Sequence, residues 1–229
     1  MKVSLSLEKS YSNDVSIMVD VLRASTTITI ALNHFEQVIP VLNKDDAVQI
    51  AKDNEAVIAG ERRGTTLEGF DAGNSPIEIQ NFQGKTLVLT TSNGTRIMDN
   101  MNSKILVGCF TNAQAVAQAA GKLAMNHIEI VMAGVEGRFA IEDFLGAGKI
   151  ISYLKDEDLD EYAQAALMAC ENNSKIKNTV LNSRSGRRLM EIGFKDDVDF
   201  CLKTNISKNV PFFDKKRLIN YNYKKHALF

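Results

Sequence analysis

Short apolar runs alternate with segments of helical periodicity over the first two-thirds of the chain, and this alternation restricts the possible folds. After a weaker run at 2–7, six runs rich in β-branched residues predict strands at 15–21, 37–42, 56–61, 85–91, 104–110 and 127–135. Helix candidates lie between them at about 25–34, 44–53, 93–101, 112–125 and 141–155. Runs that are apolar on both faces are typical of a largely parallel sheet covered on two sides. The expected fold class is therefore α/β.

The pattern changes after about Ser152. The segments "DEDLDEYAQAALMACENN", "NTVLNSRSGRRLMEIG" and "KDDVDFCLKTN" predict helices, and "VPFFD" is the candidate for one further strand. No Pro/Gly/Ser-rich linker separates the two parts of the 229-residue chain. We therefore expect a single domain over 1–229, with the helical C-terminal third packed on the sheet.

Charge and cysteine content exclude several classes of protein. The chain has 27 basic and 28 acidic residues, and neither half forms a basic block suited to a phosphate backbone, so we expect no nucleic-acid partner. No window approaches the ~20 apolar residues of a membrane helix, and the N-terminus lacks a signal-peptide pattern. The three cysteines are too few and too scattered for a disulfide framework or a thiolate zinc site. We expect a cytoplasmic protein without a membrane partner.

Polar side chains follow five of the predicted strands, where open α/β sheets bind their ligands. These side chains are Asp20 and Arg23; Glu61, Arg62 and Arg63; Asn93, Thr95 and Arg96; Asn112; and Glu136, Glu142 and Asp143. Scattered surface polarity would not favour this placement, so we expect most of these residues to share one site.

Two of the loops have the composition of an anion site. In "TTSNGTRI" a glycine lets the backbone come close, and the amides and hydroxyls of a helix start face a phosphate-sized group. In "RASTTI" the arrangement recurs, and Arg23 can form a bidentate fork to two phosphate oxygens. The acid Asp20 beside these donors indicates a cation next to the anion.

Each of these residues also has a purely structural explanation. Ser25 or Asn93 could be an ordinary helix N-cap, and Arg23 could be a solvated charge or a structural partner of Asp20. Residues 61–63 could form an exposed turn, the acids at 142–143 could complement a helix dipole, and "NSRSGRRL" could be a solvated helix start. The chain contains no P-loop, dinucleotide-binding or nucleophile-elbow motif.

Six segments in order resemble one family along nearly the whole chain: "VDVLRASTTI", "AGERRGTTLEGFDAGNSP", "LVLTTSNGTR", "CFTNAQAVA", "MAGVEGRFAIED" and "SRSGRRL". The chain is similar to the 2-phosphosulfolactate phosphatase (ComB-like) family, and "GER-x-G", "GFD-x-GNSP" and "TT-x-NGTR" are its most specific series. The resemblance implies a three-layer α/β/α fold. It also implies an Mg²⁺-dependent hydrolase that removes phosphate from (R)-2-phospho-3-sulfolactate, a step towards coenzyme M.

The matching segments supply the candidate site residues, and chemistry suggests their roles. Predicted catalytic residues are Asp20, Arg23, Glu61 and Asp143, and predicted Mg²⁺ ligands are Asp20 and Glu61 with Glu142 or Asp143. Predicted substrate-binding residues are Ser25, Thr26, Arg62, Arg63, Asn74, Ser75, Asn93, Gly94, Thr95, Arg96 and Arg187. Among these, we expect Arg96 to join Arg23 at the phosphate. Arg62, Arg63 or Arg187 would receive the carboxylate and sulfonate, because a substrate with three acidic groups needs additional positive charge.

Two other functions fit the same residues. One is the same reaction on another small 2-phospho acid, such as phospholactate or phosphoglycolate. The other is a non-catalytic sensor of such anions, although carboxylates beside arginines would weaken anion binding unless a metal screened them. A homo-oligomer is compatible with either function.

Overall fold

The computed structural model describes residues 1–62, 64–91 and 94–221 and confirms the α/β class. The strands are β1 (Lys2–Leu7), β2 (Val15–Val19), β3 (Phe35–Val41), β4 (Val57–Arg62), β5 (Thr65–Thr66), β6 (Gly84–Thr90), β7 (Lys104–Gly108), β8 (His127–Met132), β9 (Asp158–Leu159), β10 (Pro211–Phe213) and β11 (Leu218–Asn220). The helices are α1 (Ala24–Ala31), α2 (Lys44–Asp53), α3 (Gly94–Asp99), α4 (Ala113–Leu123), α5 (Ile141–Ile151), α6 (Glu161–Ala169), α7 (Asn173–Leu181), α8 (Arg184–Glu191) and α9 (Lys195–Cys201).

The described strands form one mixed sheet in the order β5-β4-β6-β3-β11-β10-β7-β2-β8-β1-β9. Two parallel groups, β4-β6-β3 and β7-β2-β8-β1, are joined by the antiparallel hairpin of β10 and β11. Phe212 of β10 pairs with Leu106 of β7, and Ile219 of β11 pairs with Gln37 of β3. The strand predicted from "VPFFD" is thus confirmed as the inner strand β10, and β11 is an additional strand.

Helices cover both faces of the sheet, as the two-sided apolar runs predicted. Along β2, Val15, Ile17 and Val19 belong to the core beneath α4 and α5, whereas Met18 belongs to a second core with Ile28 of α1. Successive side chains of a strand point to opposite faces, so this division places helices above and below β2. The three-layer arrangement is confirmed.

Close contact between α5 and α6 fixes the helix that carries Glu142 and Asp143. A β-carbon added at Gly148 of α5 would lie 2.2 Å from the carbonyl oxygen of Ala166 in α6. Only glycine allows the two backbones to approach this closely. The position of α5 relative to the sheet therefore depends on a small residue one and a half turns after the two acids.

The C-terminal helices pack on α5 and on one another, and α8 reaches the polar strand ends. The predicted helical segment 178–193 contains the end of α7 and the whole of α8, because the chain turns at Ser183. The Ser183 hydroxyl accepts a hydrogen bond from the Gly186 N–H at 3.0 Å and caps α8.

None of the helices in the described ranges has the length and apolarity needed to cross a membrane. The single-domain organisation over 1–229 stays a prediction.

We expect Gly148→Ala to lower the free energy of unfolding by about 1–3 kcal/mol, because the added methyl group overpacks the contact between α5 and α6. Gly121→Ala is the matched control, since no atom lies within 4 Å of a β-carbon added at that position of α4. Alanine has the higher helix propensity, so this control should gain up to about 1 kcal/mol. Urea denaturation of the two variants measures the difference, and equal stabilities would contradict the proposed contact.

Candidate active site

A cavity of about 540 Å³ lies at the carboxyl ends of β2 and β4, and α8 forms its opposite wall. It is lined by Asp20, Leu22, Arg23, Glu61, Gly64, Asn74, Val135, Glu136, Arg184, Ser185, Arg188 and Leu189. Of the residues predicted from the sequence, it brings together Asp20, Arg23, Glu61 and Asn74. Its volume is in the usual range for small-molecule sites.

Asp20 follows β2 directly and is held by the turn into α1. Its N–H donates to the Ser25 hydroxyl at 2.8 Å, and its carbonyl accepts from the Ser25 N–H at 2.9 Å. Burial raises the pKa of the Asp20 carboxyl to about 7, and the nearby Glu61 and Glu142 carboxylates raise it further against the lowering effect of the Ala24 N–H. A β-carbon at Gly94 would lie 3.7 Å from Asp20 Oδ2, so the start of α3 lies close to this carboxyl.

Arg23 is buried and forms an ion pair, but its partner is Asp197 of α9 rather than Asp20. Its guanidinium donates to Asp197 Oδ2 at 2.5 Å and to the Gly64 carbonyl at 3.0 Å, and it lies 4.3 Å from the centre of the Phe194 ring. The other Asp197 oxygen accepts a 2.6 Å hydrogen bond from the Ser75 hydroxyl. Because a guanidinium has five N–H donors, Arg23 retains donors for a ligand in the cavity it lines.

Gly64 connects Glu61 to Arg23. Its N–H donates to Glu61 Oε2 at 2.6 Å, while its carbonyl accepts from Arg23. Its φ of +86° lies in the left-handed region, which glycine adopts without steric cost. The "GERRG" motif thus folds back so that an acid and an arginine from distant strands face the same cavity.

Asp143 and Glu142 are both buried at the start of α5, but their surroundings differ. The two Asp143 oxygens accept hydrogen bonds from Val21 N–H at 2.8 Å and Gly134 N–H at 3.0 Å. Burial, together with Asp20 and Glu142, raises the pKa of Asp143 although these two N–H donors lower it. Among the described residues, no donor bonds to the Glu142 carboxylate, which lines a smaller cavity of about 130 Å³ beside the main one. Asp143 therefore joins two loops, whereas Glu142 remains available.

Several predicted residues lie in the turns that support the cavity without lining it. The Thr26 hydroxyl donates to the Val21 carbonyl at 3.1 Å, and Ser25 and Ser75 bond to Asp20 and Asp197 as described. The Thr95 hydroxyl lies 3.3 Å from that of Thr91. These side chains hold the chain segments around the cavity in place.

Three predicted arginines also lie outside the cavity lining. The Arg62 guanidinium donates to the Leu42 carbonyl at 2.7 Å and the Glu61 carbonyl at 2.8 Å. Arg96 forms an ion pair with Glu8, and Arg187 is exposed on α8. The predictions for Arg63 and Asn93 fall outside the described residues.

Sequence reasoning missed Asp197, Arg184 and Arg188. The helical period alone could not select the two cavity-lining arginines, because Arg187 lies three residues after Arg184 and is also its neighbour on the helix surface. Asp197 is one of three acids in "KDDVD", and nothing local distinguishes it from its neighbours. Its pairing with Arg23 depends on how the helical third packs.

A divalent cation fits part of this acid cluster. Among the described residues no three acid, His or Cys side chains are arranged as a closed metal site. Mg²⁺, however, is commonly bound by one or two carboxylates, with waters and substrate phosphate completing the coordination. Asp20 and Glu61 line the cavity and repel each other's charge, so this pair fits such a cation.

Comparisons with known proteins identify the family of the chain. A sequence model described as 2-phosphosulpholactate phosphatase matches residues 2–216. The chain belongs to the 2-phosphosulpholactate phosphatase family. A relative from Methanothermobacter thermautotrophicus named "2-phosphosulfolactate phosphatase" is 49% identical, with 95% of each chain covered. Two relatives named "Probable 2-phosphosulfolactate phosphatase" come from Clostridium acetobutylicum, 36% identical over 93% of this chain and 94% of the relative, and Thermotoga maritima, 38% identical over 86% and 87%.

The raised pKa of Asp20 predicts a pH-dependent stability in this member of the 2-phosphosulpholactate phosphatase family. Between about pH 4 and 7 the unfolded chain loses the Asp20 proton while the folded chain keeps it, so this residue makes stability fall as pH rises. Its largest contribution to the slope is about 1.4 kcal/mol per pH unit. Asp20→Asn should therefore gain stability relative to the parent between pH 4 and pH 8. Urea denaturation in chelator tests this, and a pH-independent difference would contradict it.

We expect Asp197→Asn to destabilise the fold by about 3–5 kcal/mol, because it leaves the buried Arg23 guanidinium without a counter-charge. Asp196→Asn on the same helix is the control, since Asp196 is exposed and should change stability by at most about 0.5 kcal/mol. Thermal unfolding of both variants measures the effect. Similar losses in the two variants would show that the buried pair does not stabilise the protein.

Proposed function

We propose that the chain hydrolyses the phosphate monoester of 2-phosphosulfolactate to 3-sulfolactate and inorganic phosphate, a step towards coenzyme M. The observation that carries this proposal is that one cavity brings carboxylates and guanidinium groups together. Asp20 and Glu61 line it from the strand ends, Arg184 and Arg188 line it from α8, and Arg23 also belongs to its lining. Carboxylates and guanidinium groups in one small cavity suit a substrate that needs both a cation and several anion contacts. The names of the relatives support the same substrate.

The charges of the cavity favour a divalent cation as part of the reaction. The substrate carries phosphate, carboxylate and sulfonate groups, and the carboxylates of Asp20 and Glu61 would repel them. Mg²⁺ held by these two residues would convert the repulsion into attraction and would supply charge neutralisation at the transferring phosphoryl group.

The residues of the chain orient the phosphoryl group and move the proton. Asp197 and the Gly64 carbonyl hold the Arg23 guanidinium in a fixed position. Its remaining N–H groups are therefore preorganised to donate to a phosphoryl oxygen. A water oxygen bonds to phosphorus, and the bond from phosphorus to the C2 oxygen breaks. The attacking water gives a proton to a carboxylate of the site, which returns it to solvent, and the leaving alkoxide takes a proton from a solvent water. We assign the acceptance of the water's proton to Glu142, whose carboxylate no described donor occupies.

Phosphate release from a panel of 2-phospho acids tests the proposed function. The panel contains 2-phosphosulfolactate, phospholactate and phosphoglycolate, each with Mg²⁺ and with chelator. We expect the highest kcat/KM for 2-phosphosulfolactate and loss of turnover in chelator. Full turnover in chelator would remove the cation from the proposal. Tight binding of all three acids without phosphate release would favour an anion sensor.

We expect Glu61→Gln to reduce turnover by at least about 100-fold, because removing a carboxylate that holds the cation weakens transition-state stabilisation. Glu68→Gln, seven residues later and just after β5, is the matched control, since Glu68 is exposed and lines no described cavity. Initial rates at saturating substrate and Mg²⁺ measure the difference. A folded Glu61→Gln variant with the turnover of the control would exclude Glu61 from the reaction.

A further inference from the structure

The geometry of α8 points to a second anion subsite, and we propose that Arg184 and Arg188 bind the sulfonate of the substrate. This inference rests on the proposed function, because it assigns one group of that substrate to one wall of the cavity. Neither arginine was expected from the sequence, where Arg62, Arg63 or Arg187 was to receive the sulfonate.

The two arginines lie on one face of α8, opposite the acids. Residues four apart on a helix are neighbours on its surface, and both Arg184 and Arg188 line the cavity that Asp20 and Glu61 line from the sheet side. Arg187, between them in sequence, is exposed and absent from that lining. The cavity is therefore acidic at the strand ends and basic along α8.

The guanidinium groups of this pair are available to a ligand. Arg184 has one weak ion pair, in which its Nη2 lies 3.9 Å from Glu136 Oε2, and that carboxylate is 82% exposed. Within the described part of the chain, the Arg188 guanidinium has no hydrogen bond or ion pair. By contrast, Arg23 and Arg62 use their N–H groups to hold neighbouring chain segments. Among the arginines that the structure describes, only Arg184 and Arg188 combine access to the cavity with guanidinium groups that are largely free of other partners.

The packing of α8 fixes which of its faces the ligand meets. A β-carbon at Gly186 would lie 2.1 Å from the Val180 carbonyl oxygen, so this helix start is pressed against the end of α7. The Ser183 cap holds the first turn, and Leu189, 6% exposed, packs into the core. A rotation of α8 that moved the arginines out of the cavity would disrupt all three contacts.

An unpartnered polar atom in the same cavity indicates that a ligand completes it. Asn74 is 4% exposed and lines the cavity, and among the described residues its Oδ1 has no hydrogen-bond partner. A buried carbonyl oxygen without a donor is costly in free energy. We therefore expect a bound ligand to bring a water or a cation that pairs with Asn74 Oδ1. This observation is independent of the arginines and concerns the same space.

The chemistry of the substrate decides which acid group the arginines take. The phosphate must lie by the cation and therefore at Asp20 and Glu61. The carboxylate shares carbon C2 with the phosphate oxygen and stays close to it, whereas the sulfonate lies one carbon farther away. Two guanidinium forks one helical turn apart can each donate to oxygens of a sulfonate. The sulfonate, which lies farthest from the phosphate, is thus placed at α8, the wall of the cavity opposite Asp20 and Glu61.

Steady-state kinetics on two substrates test the assignment. 2-Phosphosulfolactate and phospholactate are compared in the parent and in Arg184→Ala, Arg188→Ala and Arg187→Ala, with thermal unfolding to show that each variant is folded. We expect the first two variants to raise KM for 2-phosphosulfolactate by about 10- to 100-fold with little change in kcat, and to spare phospholactate. Arg187→Ala should stay within about twofold of the parent for both substrates, because its side chain lies outside the cavity.

A binding measurement separates recognition from turnover. In the parent protein 3-sulfolactate should raise the unfolding temperature more than lactate does. Arg188→Ala should lose most of this increase, and Arg188→Lys, which keeps the charge but not the guanidinium fork, should lose part of it. Equal kinetic losses on both substrates, or a larger loss in Arg187→Ala, would overturn the sulfonate assignment while leaving the phosphatase intact. If the parent releases phosphate from neither substrate, the proposed function itself fails.

Discussion

The buried ion pair between Arg23 and Asp197 is the interaction on which the site depends. It joins the loop after β2 to α9, and through the Ser75 hydroxyl and the Gly64 carbonyl it also holds two loops of the β4 side. Two charges removed from water are stable only when their partners are all in place. Sheet and helical third must therefore pack correctly before Arg23 can point into the cavity, which makes a remote helix part of the active-site architecture.

The acid side of the cavity stores unfavourable electrostatic energy. Burial raises the pKa values of Asp20 and Asp143, and the neighbouring Glu142 carboxylate raises both further. The nearest buried guanidinium is already neutralised by Asp197. A sequence selected only for stability would replace some of these carboxylates. Their retention is expected where function needs a charged, water-poor site that a cation relieves on binding.

The sequence predicted the parts of the fold that local pattern controls. Apolar runs located the strands, and the strand-end rule brought Asp20, Arg23 and Glu61 to one cavity. It missed β5, β9 and β11, because two or three residues are too few for a period to emerge. Which arginine of α8 lines the cavity was not predictable, because neighbouring arginines look alike until the rotation of the helix is known. The pairing of Arg23 with Asp197 spans 174 residues and had no local signal.

The hairpin of β10 and β11 has a consequence for how this protein is made. It is the only connection between the β3 and β7 sides of the described sheet, yet its residues come after those of all the other described strands in the chain. During synthesis both parallel groups can form while β3 and β7 still present open edges, and such edges readily pair with other chains. The nascent protein is thus most prone to aggregate just before translation reaches the two short strands that close the gap.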